Sequence, residues 1–213
     1  MQIEGDYRRD GYALVRGLVP VEVARAFMQQ LKRELPEGPV VPAEGDMLVL
    51  RREAKEIYGG DLPWMLSFLW GLTPAMEQVI GRRLMPSYCF FRIYREGDIL
   101  RVHSDRHSCE HSLSLTLDYS DDVPWPLEIS RRLLRVSEPI ADDFGGDDHA
   151  SLAMGIGDAV AYRGAHYRHG RTTPNPNAWS AHLFLHWVDP AGPFADHAFD
   201  GAGIPRPVNF SFA

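Results

Sequence analysis

The chain has 213 residues, 45% of them hydrophobic, and its 29 acidic and 22 basic residues give a formal net charge of −7. The length and apolar content suffice for one large domain with a substantial core. The negative charge opposes non-specific binding to nucleic acid or anionic lipid. We therefore predict a single domain over residues 1–213, with no nucleic-acid or membrane partner.

The two cysteines, Cys89 and Cys109, each flank a predicted strand. We interpret them as buried free thiols, and not as a disulfide or a metal-binding pair. The first residues are polar, and the sequence contains no apolar run of signal-peptide or membrane-spanning length. These features favour a protein of the reducing cytoplasm.

Residues 1–83 predict a short strand followed by helices. Residues 11–15 have the composition of a strand, and Pro20 stands where the first turn of a helix tolerates proline. The helix should carry one apolar stripe and end before Pro36 and Gly38. The stripe consists of Val23, Phe27, Leu31 and Leu35.

The hydrophobic patterns that predict secondary structure are weaker between residues 39 and 80 than in the first helix. Residues 47–50 are typical of an extended segment, and residues 52–57 of a short charged helix. Between residues 64 and 80 we predict two short helices. Gly71 interrupts the apolar pattern there, and Thr73 followed by proline is typical of a new helix start.

From residue 84 the hydrophobic period changes to two. Residues 84–94 and 99–105 predict two strands joined by a turn at 96–98, and we expect them to form a hairpin. Alternating leucine and Ser/Thr over residues 112–117 predict a strand with one core face. Further short strands are predicted at 125–129, 133–136, 151–154, 159–163, 168–172 and 179–188. So many short strands indicate a sandwich or barrel. Residues 190–213 should form a tail that wraps the sheet or frays.

Two histidines and a carboxylate form a candidate metal site. If residues 100–105 are extended, His103 and Asp105 point to the same face and can bind one ion, and His169 would complete the set from a distant strand. Such a set leaves coordination positions open, as in non-heme Fe(II) oxygenases. His166 competes with His169 for the third position, and His182 and His186 are more distant alternatives.

Several motifs occur in a fixed order along the chain, namely residues 91–98, 100–106, 157–160, His169 and the pair 179–180. In this order they resemble the Fe(II)- and 2-oxoglutarate-dependent oxygenases, particularly small prolyl-hydroxylase-like members. Residues 10–20 resemble the first strand and helix of phytanoyl-hydroxylase-like members. The resemblance implies a mainly β fold with flanking helices. It would be a double-stranded β-helix (a cupin-like jelly roll) over residues 84–189, with residues 1–83 packed on its major sheet and residues 190–213 as the tail.

The resemblance also implies an activity. His103, Asp105 and His169 would hold Fe(II), with 2-oxoglutarate as co-substrate and O2 as oxidant. The expected reaction hydroxylates a small molecule or a protein side chain and releases succinate and CO2. Halogenating relatives carry a small residue in place of the carboxylate, so the presence of Asp105 argues against halogenation.

The sequence departs from the family pattern at the position whose residue would bind the far carboxylate of 2-oxoglutarate. Relatives carry an Arg or Lys just before a Trp-Ser pair, whereas this chain has Ala178 there. Arg171 is our preferred substitute, because it lies two residues beyond His169 and shares its face if the strand continues. The candidate co-substrate residues are Arg171, Arg101, Tyr94 and Ser180, with His182 as an alternative cation.

Two other functions remain open at the level of sequence. One is a cupin-like metal-dependent enzyme that does not use 2-oxoglutarate. The other is a non-catalytic binding protein with the same fold.

Overall fold

The structure is a computed structural model that describes residues 1–35, 49–50 and 55–201. The described residues form eleven strands and three α-helices, and the helices all precede β4. The strands are β1 (Gln2–Glu4), β2 (Tyr12–Arg16), β3 (Lys55–Tyr58), β4 (Met85–Arg95), β5 (Leu100–His103), β6 (His111–Tyr119), β7 (Leu127–Leu133), β8 (His149–Leu152), β9 (Ala159–Tyr162), β10 (Tyr167–Arg171) and β11 (Trp179–Val188). The helices are α1 (Tyr7–Asp10), α2 (Val21–Glu34) and α3 (Leu66–Ile80).

Within the described residues the strands form two antiparallel sheets. The seven-stranded major sheet has the order β1-β2-β9-β6-β11-β4-β3, and the four-stranded minor sheet has the order β5-β10-β7-β8. An apolar core that draws on both sheets lies between them. This is the predicted jelly-roll class, and the predicted N-terminal strand is also found, as β2 paired with β9.

The major sheet is buried on both faces. The leucines of β6 face a core shared with α2 and α3, while its serines and Thr116 face the minor sheet, and all of them are buried. The predicted alternation is therefore present, but the prediction of one core face was wrong. The polar face of β6 is covered by the second sheet, so its hydroxyl groups line an interior.

Helix α2 packs on the outer face of the major sheet largely as predicted. Phe27 and Leu31 are buried, and the helix ends at Glu34. Val23, which was assigned to the apolar stripe, is 42% exposed, because the buried face is centred on Ala24 and Met28 instead. Pro36 and Gly38 lie outside the described residues.

The prediction of two helices between residues 64 and 80 was wrong. One short 3-10 turn at Pro63–Met65 leads into α3, which continues through Gly71 and Pro74. Proline removes one helical hydrogen bond at a cost of about 3 kcal/mol. Burial of Leu69, Met76 and Ile80 against the sheet offsets this cost.

The short charged helix predicted at 52–57 was also wrong in its described part. Residues 55–58 form β3, which pairs with β4 at the edge of the major sheet. Backbone pairing with a long neighbouring strand overrides the weak local preference for a helix. Residues 51–54 lie outside the described part of the chain, as do residues 47–48 of the predicted extended segment. Leu50 forms an isolated bridge with Leu100.

The predicted hairpin of residues 84–105 does not form. Strand β4 pairs with β3 and β11 in the major sheet, whereas β5 pairs with β10 in the minor sheet. The turn around Gly97 therefore carries the chain from one sheet to the other. Segments 125–129 and 133–136 are not two strands: β7 is one strand that ends at Leu133.

The described part of the tail packs against β4. A 3-10 segment at Ala195–Gly201 contacts this strand, and Ser87 Oγ donates a hydrogen bond to the His197 carbonyl at 3.1 Å. The predicted buried free thiols are confirmed at Cys89 and Cys109. In the part of the chain that the structure describes, no helix has both the length and the apolar character needed to span a membrane.

Gly157, in the loop before β9, is hydrogen-bonded to the segment between β2 and α2. Its φ is +84°, its carbonyl accepts from Val19 N at 3.0 Å, and a Cβ atom there would lie 2.1 Å from the Val19 carbonyl oxygen. We predict that Gly157→Ala lowers the free energy of unfolding, measured by urea titration, by at least about 2 kcal/mol. Gly145→Ala, at φ +62° with open space around it, should cost only about 1 kcal/mol. Equal losses would show that the Val19 contact is unimportant.

Candidate active site

Three potential metal ligands meet where β5 pairs with β10. His103 and His169 are paired residues of these strands, and Asp105 follows β5. Asp105 Oδ1 lies 3.5 Å from Nε2 of each histidine. The ligand atoms of all three residues lie within 4.8 Å of one another. The structure thus brings together the three residues selected from the sequence.

Both histidines are oriented by backbone carbonyl groups. His103 Nδ1 lies 2.7 Å from the Arg101 carbonyl oxygen, and His169 Nδ1 lies 3.0 Å from the Tyr167 carbonyl oxygen. A carbonyl only accepts hydrogen bonds, so each Nδ1 carries a proton and each Nε2 is the ring atom available to a metal. This second hydrogen bond is typical of metal-binding histidines.

The charges of these groups suit a metal centre. Burial raises the pKa of the Asp105 carboxyl, but His169 and His103 together hold that pKa well below its usual value. Burial, followed by the nearby His169, lowers the pKa of His103. At neutral pH the site therefore offers an anionic carboxylate and a neutral His103 imidazole, the forms in which these side chains bind metals.

Asp105 is positioned by a loop and not by a strand. Strand β5 ends at His103, so the predicted extension to Asp105 was wrong. The Asp105 backbone N–H instead donates to the Gly164 carbonyl at 2.9 Å. A Cβ atom on Gly164 would lie 2.3 Å from Asp105 Oδ2 and 2.7 Å from Ser112 Oγ. The absence of a side chain at Gly164 is what allows this close approach.

A cavity of about 250 Å³ extends from the three ligands into the space between the sheets. Leu100, Leu127 and Tyr94 belong to its lining. Four further aromatic side chains line it, namely Tyr58, Tyr88, Phe90 and Phe184. Beyond the ligands the lining therefore combines apolar and aromatic side chains with polar ones, among them Arg92, Arg106 and His186, a mixture common for small-molecule sites.

Arg171 is fully buried and does not itself line the cavity, but its guanidinium faces the ring of Tyr94, which does. It stands two residues beyond His169 in β10, with its guanidinium carbon 5.7 Å from the Tyr94 ring centre and 4.9 Å from that of Trp125. Nη1 and Nη2 have no hydrogen-bond partner among the described residues, and Nε only approaches the Trp125 carbonyl at 3.5 Å. A buried guanidinium without an acceptor is costly. Its geometry fits a bidentate carboxylate.

The other co-substrate candidates are placed differently. Unlike Arg171, Arg101 already has a carboxylate partner, because it donates to Asp142 at 2.8 Å. Ser180 is buried and accepts from Asn175 Nδ2 at 3.2 Å. His182 is fully buried, and its pKa is held well below the usual value by burial and then by Arg171 and Arg92.

Arg92 was not predicted to be a site residue. Its side chain lines the cavity from β4, where Tyr88, Phe90 and Tyr94 share its face. Its Nε and Nη2 donate to Glu56 Oε2 at 2.9 and 2.7 Å, and Nη1 donates to the Tyr94 hydroxyl at 3.3 Å. The period of two in residues 88–94 was the available signal, because it places an arginine in a row of interior aromatic residues.

No protein-family model matches the chain, and a search of curated proteins gives no match. Solved structures do resemble it. A prolyl-4-hydroxylase from Pseudomonas putida is 16% identical with a TM-score of 0.56, and the match covers 86% of this chain and 95% of that one.

Two further similar structures hold ligands. The epimerase SnoN in complex with Fe3+, alpha-ketoglutarate and nogalamycin RO is 14% identical with a TM-score of 0.64, over 94% of this chain and 90% of that one. HygX from Streptomyces hygroscopicus, with nickel and 2-oxoglutarate bound, is 10% identical with a TM-score of 0.60, over 86% and 84%. These similarities confirm the predicted fold class, the jelly roll of such enzymes.

We predict that Gly164→Ala weakens the binding of Ni²⁺ at the three ligands by roughly 10- to 100-fold, a typical effect of disturbing a group that orients a ligand. The added methyl group would displace the Asp105 carboxylate. Equilibrium dialysis measures the affinity. Gly155→Ala is the matched control, because its nearest contact would be an ordinary 3.5 Å. Unchanged affinity in Gly164→Ala would mean that the carboxylate position is not critical.

Proposed function

We propose that this protein is an Fe(II)- and 2-oxoglutarate-dependent oxygenase that hydroxylates a small molecule or a protein side chain. The observation that carries the proposal is the combination of His103, Asp105 and His169 with a buried guanidinium, Arg171, whose terminal nitrogens lack an acceptor among the described residues. The fold shared with enzymes that bind iron or nickel together with 2-oxoglutarate supports it.

The three ligands fit Fe(II). Two neutral imidazole nitrogens and one carboxylate are the donor set of non-heme iron oxygenases, and three protein ligands leave coordination positions open. Bound iron would supply the centre at which O2 and 2-oxoglutarate react. The role of the protein is to keep both Nε2 lone pairs and the Asp105 carboxylate directed to that centre, through the backbone contacts described above.

Arg171 would bind the far carboxylate of 2-oxoglutarate. A strand rises about 3.3 Å per residue, so the Cα atoms of His169 and Arg171 lie about 7 Å apart on the same face. An extended five-carbon dicarboxylate can reach from the metal to the guanidinium over such a distance. Leu100 and Leu127 line the intervening cavity and can cover its methylene groups.

Arg92 is a weaker candidate for the same role. Its guanidinium already donates twice to Glu56, which offsets its charge. Arg171 has no carboxylate partner among the described residues, and a dicarboxylate would provide one. The Tyr94 hydroxyl lies within reach of Arg92, and the Tyr94 ring contacts Arg171, so Tyr94 is a second candidate contact to the co-substrate.

In the proposed reaction one atom of O2 enters the substrate, which converts a C–H bond into C–OH. The other atom enters the new carboxylate of succinate, and the former C1 carboxylate leaves as CO2. Hydroxylation is the outcome that we propose, because Asp105 occupies the position that halogenating relatives leave small. Similar folds also serve an epimerase and a carbocyclase, so the product must be identified directly.

Anaerobic titration with Fe(II) and then 2-oxoglutarate tests the co-substrate site. We predict a weak visible charge-transfer band in the wild type and an affinity for 2-oxoglutarate that falls about 10- to 100-fold in Arg171→Ala, because charged hydrogen bonds are lost. Arg101→Ala should leave the affinity unchanged. Iron binding without a band at millimolar 2-oxoglutarate would reject the co-substrate and favour a cupin-like enzyme that does not use it.

Turnover tests the reaction itself. With Fe(II), ascorbate, O2 and 2-oxoglutarate, succinate should form and should rise when a true substrate is added from a panel of small molecules and peptides. His103→Ala should reduce succinate to the level of a metal-free sample, whereas His149→Ala, at an exposed position of β8, should not. Succinate release that does not depend on His103 would contradict the assigned metal site. NMR quantifies succinate and identifies the product.

A further inference from the structure

A second group of potential ligands adjoins the first. Asp105, Cys109 and His186 each offer one ligand atom, and these atoms lie within 4.8 Å of one another. Cys109 ends a short 3-10 turn at His107–Cys109, and His186 lies near the end of β11. Both side chains are 2% exposed. Neither residue has a role in the function proposed above.

The hydrogen bonds around His186 leave one ring nitrogen free. Ser112 Oγ donates to the Cys109 carbonyl at 3.3 Å and lies 2.9 Å from His186 Nδ1. A serine hydroxyl has a single proton, so Nδ1–H must donate to Ser112 Oγ. His186 Nε2 then carries a lone pair, and it has no hydrogen-bond partner in the described ranges. A buried acceptor left without a donor is costly unless a ligand occupies it.

The Asp105 carboxylate can serve both groups. Oδ1 lies 3.5 Å from both His103 Nε2 and His169 Nε2, whereas Oδ2 is buried without a hydrogen-bond partner among the described residues. Oδ2 and Ser112 Oγ both border the space beside Gly164, next to the hydroxyl that contacts His186. Metal ions in two-metal sites lie about 3.5–4 Å apart. A carboxylate can bridge such a pair through its two oxygens.

We propose that Asp105, Cys109 and His186 form a second site, which binds a zinc-class divalent cation and shares the Asp105 carboxylate with the first site. Sulfur, imidazole and carboxylate donors are the ligands of zinc. A thiolate disfavours Mg²⁺ and Ca²⁺. When the metal–sulfur bond forms, the Cys109 proton leaves to solvent. The Tyr88 hydroxyl, 3.1 Å from Cys109 Sγ, can then donate to the thiolate.

Cobalt(II) is the probe, because it replaces zinc and gives a near-ultraviolet charge-transfer band when a thiolate binds it. Metal-free full-length protein is reduced, freed of the reductant by gel filtration under nitrogen, and titrated anaerobically. The wild type should bind two Co²⁺ per chain by equilibrium dialysis and show the thiolate band. Cys109→Ser should bind one and lose the band. Cys89→Ser is the matched control, since it removes the other buried thiol and should behave as wild type.

Two more variants keep the proposal falsifiable. His186→Gln should lower the Co²⁺ affinity of the thiolate site at least tenfold. This variant tests the site even if Cys109→Ser does not fold. His103→Ala/His169→Ala should retain the band with one Co²⁺ per chain. A single Co²⁺ without a thiolate band in the wild type, or a band that survives in Cys109→Ser, would overturn the second site. Such a result would leave the iron site intact, because its ligands His103 and His169 are tested separately.

Discussion

The backbone hydrogen bond from Asp105 N–H to the Gly164 carbonyl positions the carboxylate of the candidate metal centre, and Ala165 N–H, which donates to the Cys109 carbonyl, joins the same two loops. The pairing of β5 with β10 brings the two histidines together, but Asp105 lies beyond the end of β5 and is held beside them by the loop. The carboxylate also needs the space that a side chain at position 164 would occupy. The geometry of the centre is therefore a property of the backbone, which can hold it within the tight limits that metal binding requires.

The space between the sheets has an unusual composition for a protein interior. It holds the imidazoles of His182 and His186 and the guanidinium of Arg171, all nearly or completely buried. Such groups reduce stability unless they acquire partners. Charged ligands bound in this interior would provide those partners. The groups that reduce stability therefore lie where binding can offset the loss.

Much of the fold, and the grouping of His103, Asp105 and His169, could be predicted from the sequence, because local period and motif order encode them. The alternation in β6 and the stripe of α2 are examples. Sheet membership could not be predicted: a period of two does not reveal that β4 and β5 join different sheets. Tertiary packing also overrode the local signals of Gly71 and Pro74 in α3. Arg92 was not predicted to line the cavity, because its partner Glu56 lies on another strand and the period of two does not say which sheet covers each face. Cys109 was interpreted only as a buried thiol, because its proximity to His186 depends on tertiary packing.

Strand β5 is a four-residue edge strand whose neighbour β10 follows more than 60 residues later in the sequence. Closing so long a loop has an entropic cost, and an ion bound by His103 and His169 would act as a cross-link across it. Binding of this kind stabilises the folded state by about 2.7 kcal/mol when the free ion is at 100 times its Kd. Loss of the ion would therefore increase the population of unfolded chains available to proteases. The abundance of this protein in a cell would then follow the metal supply, independently of any change in its synthesis.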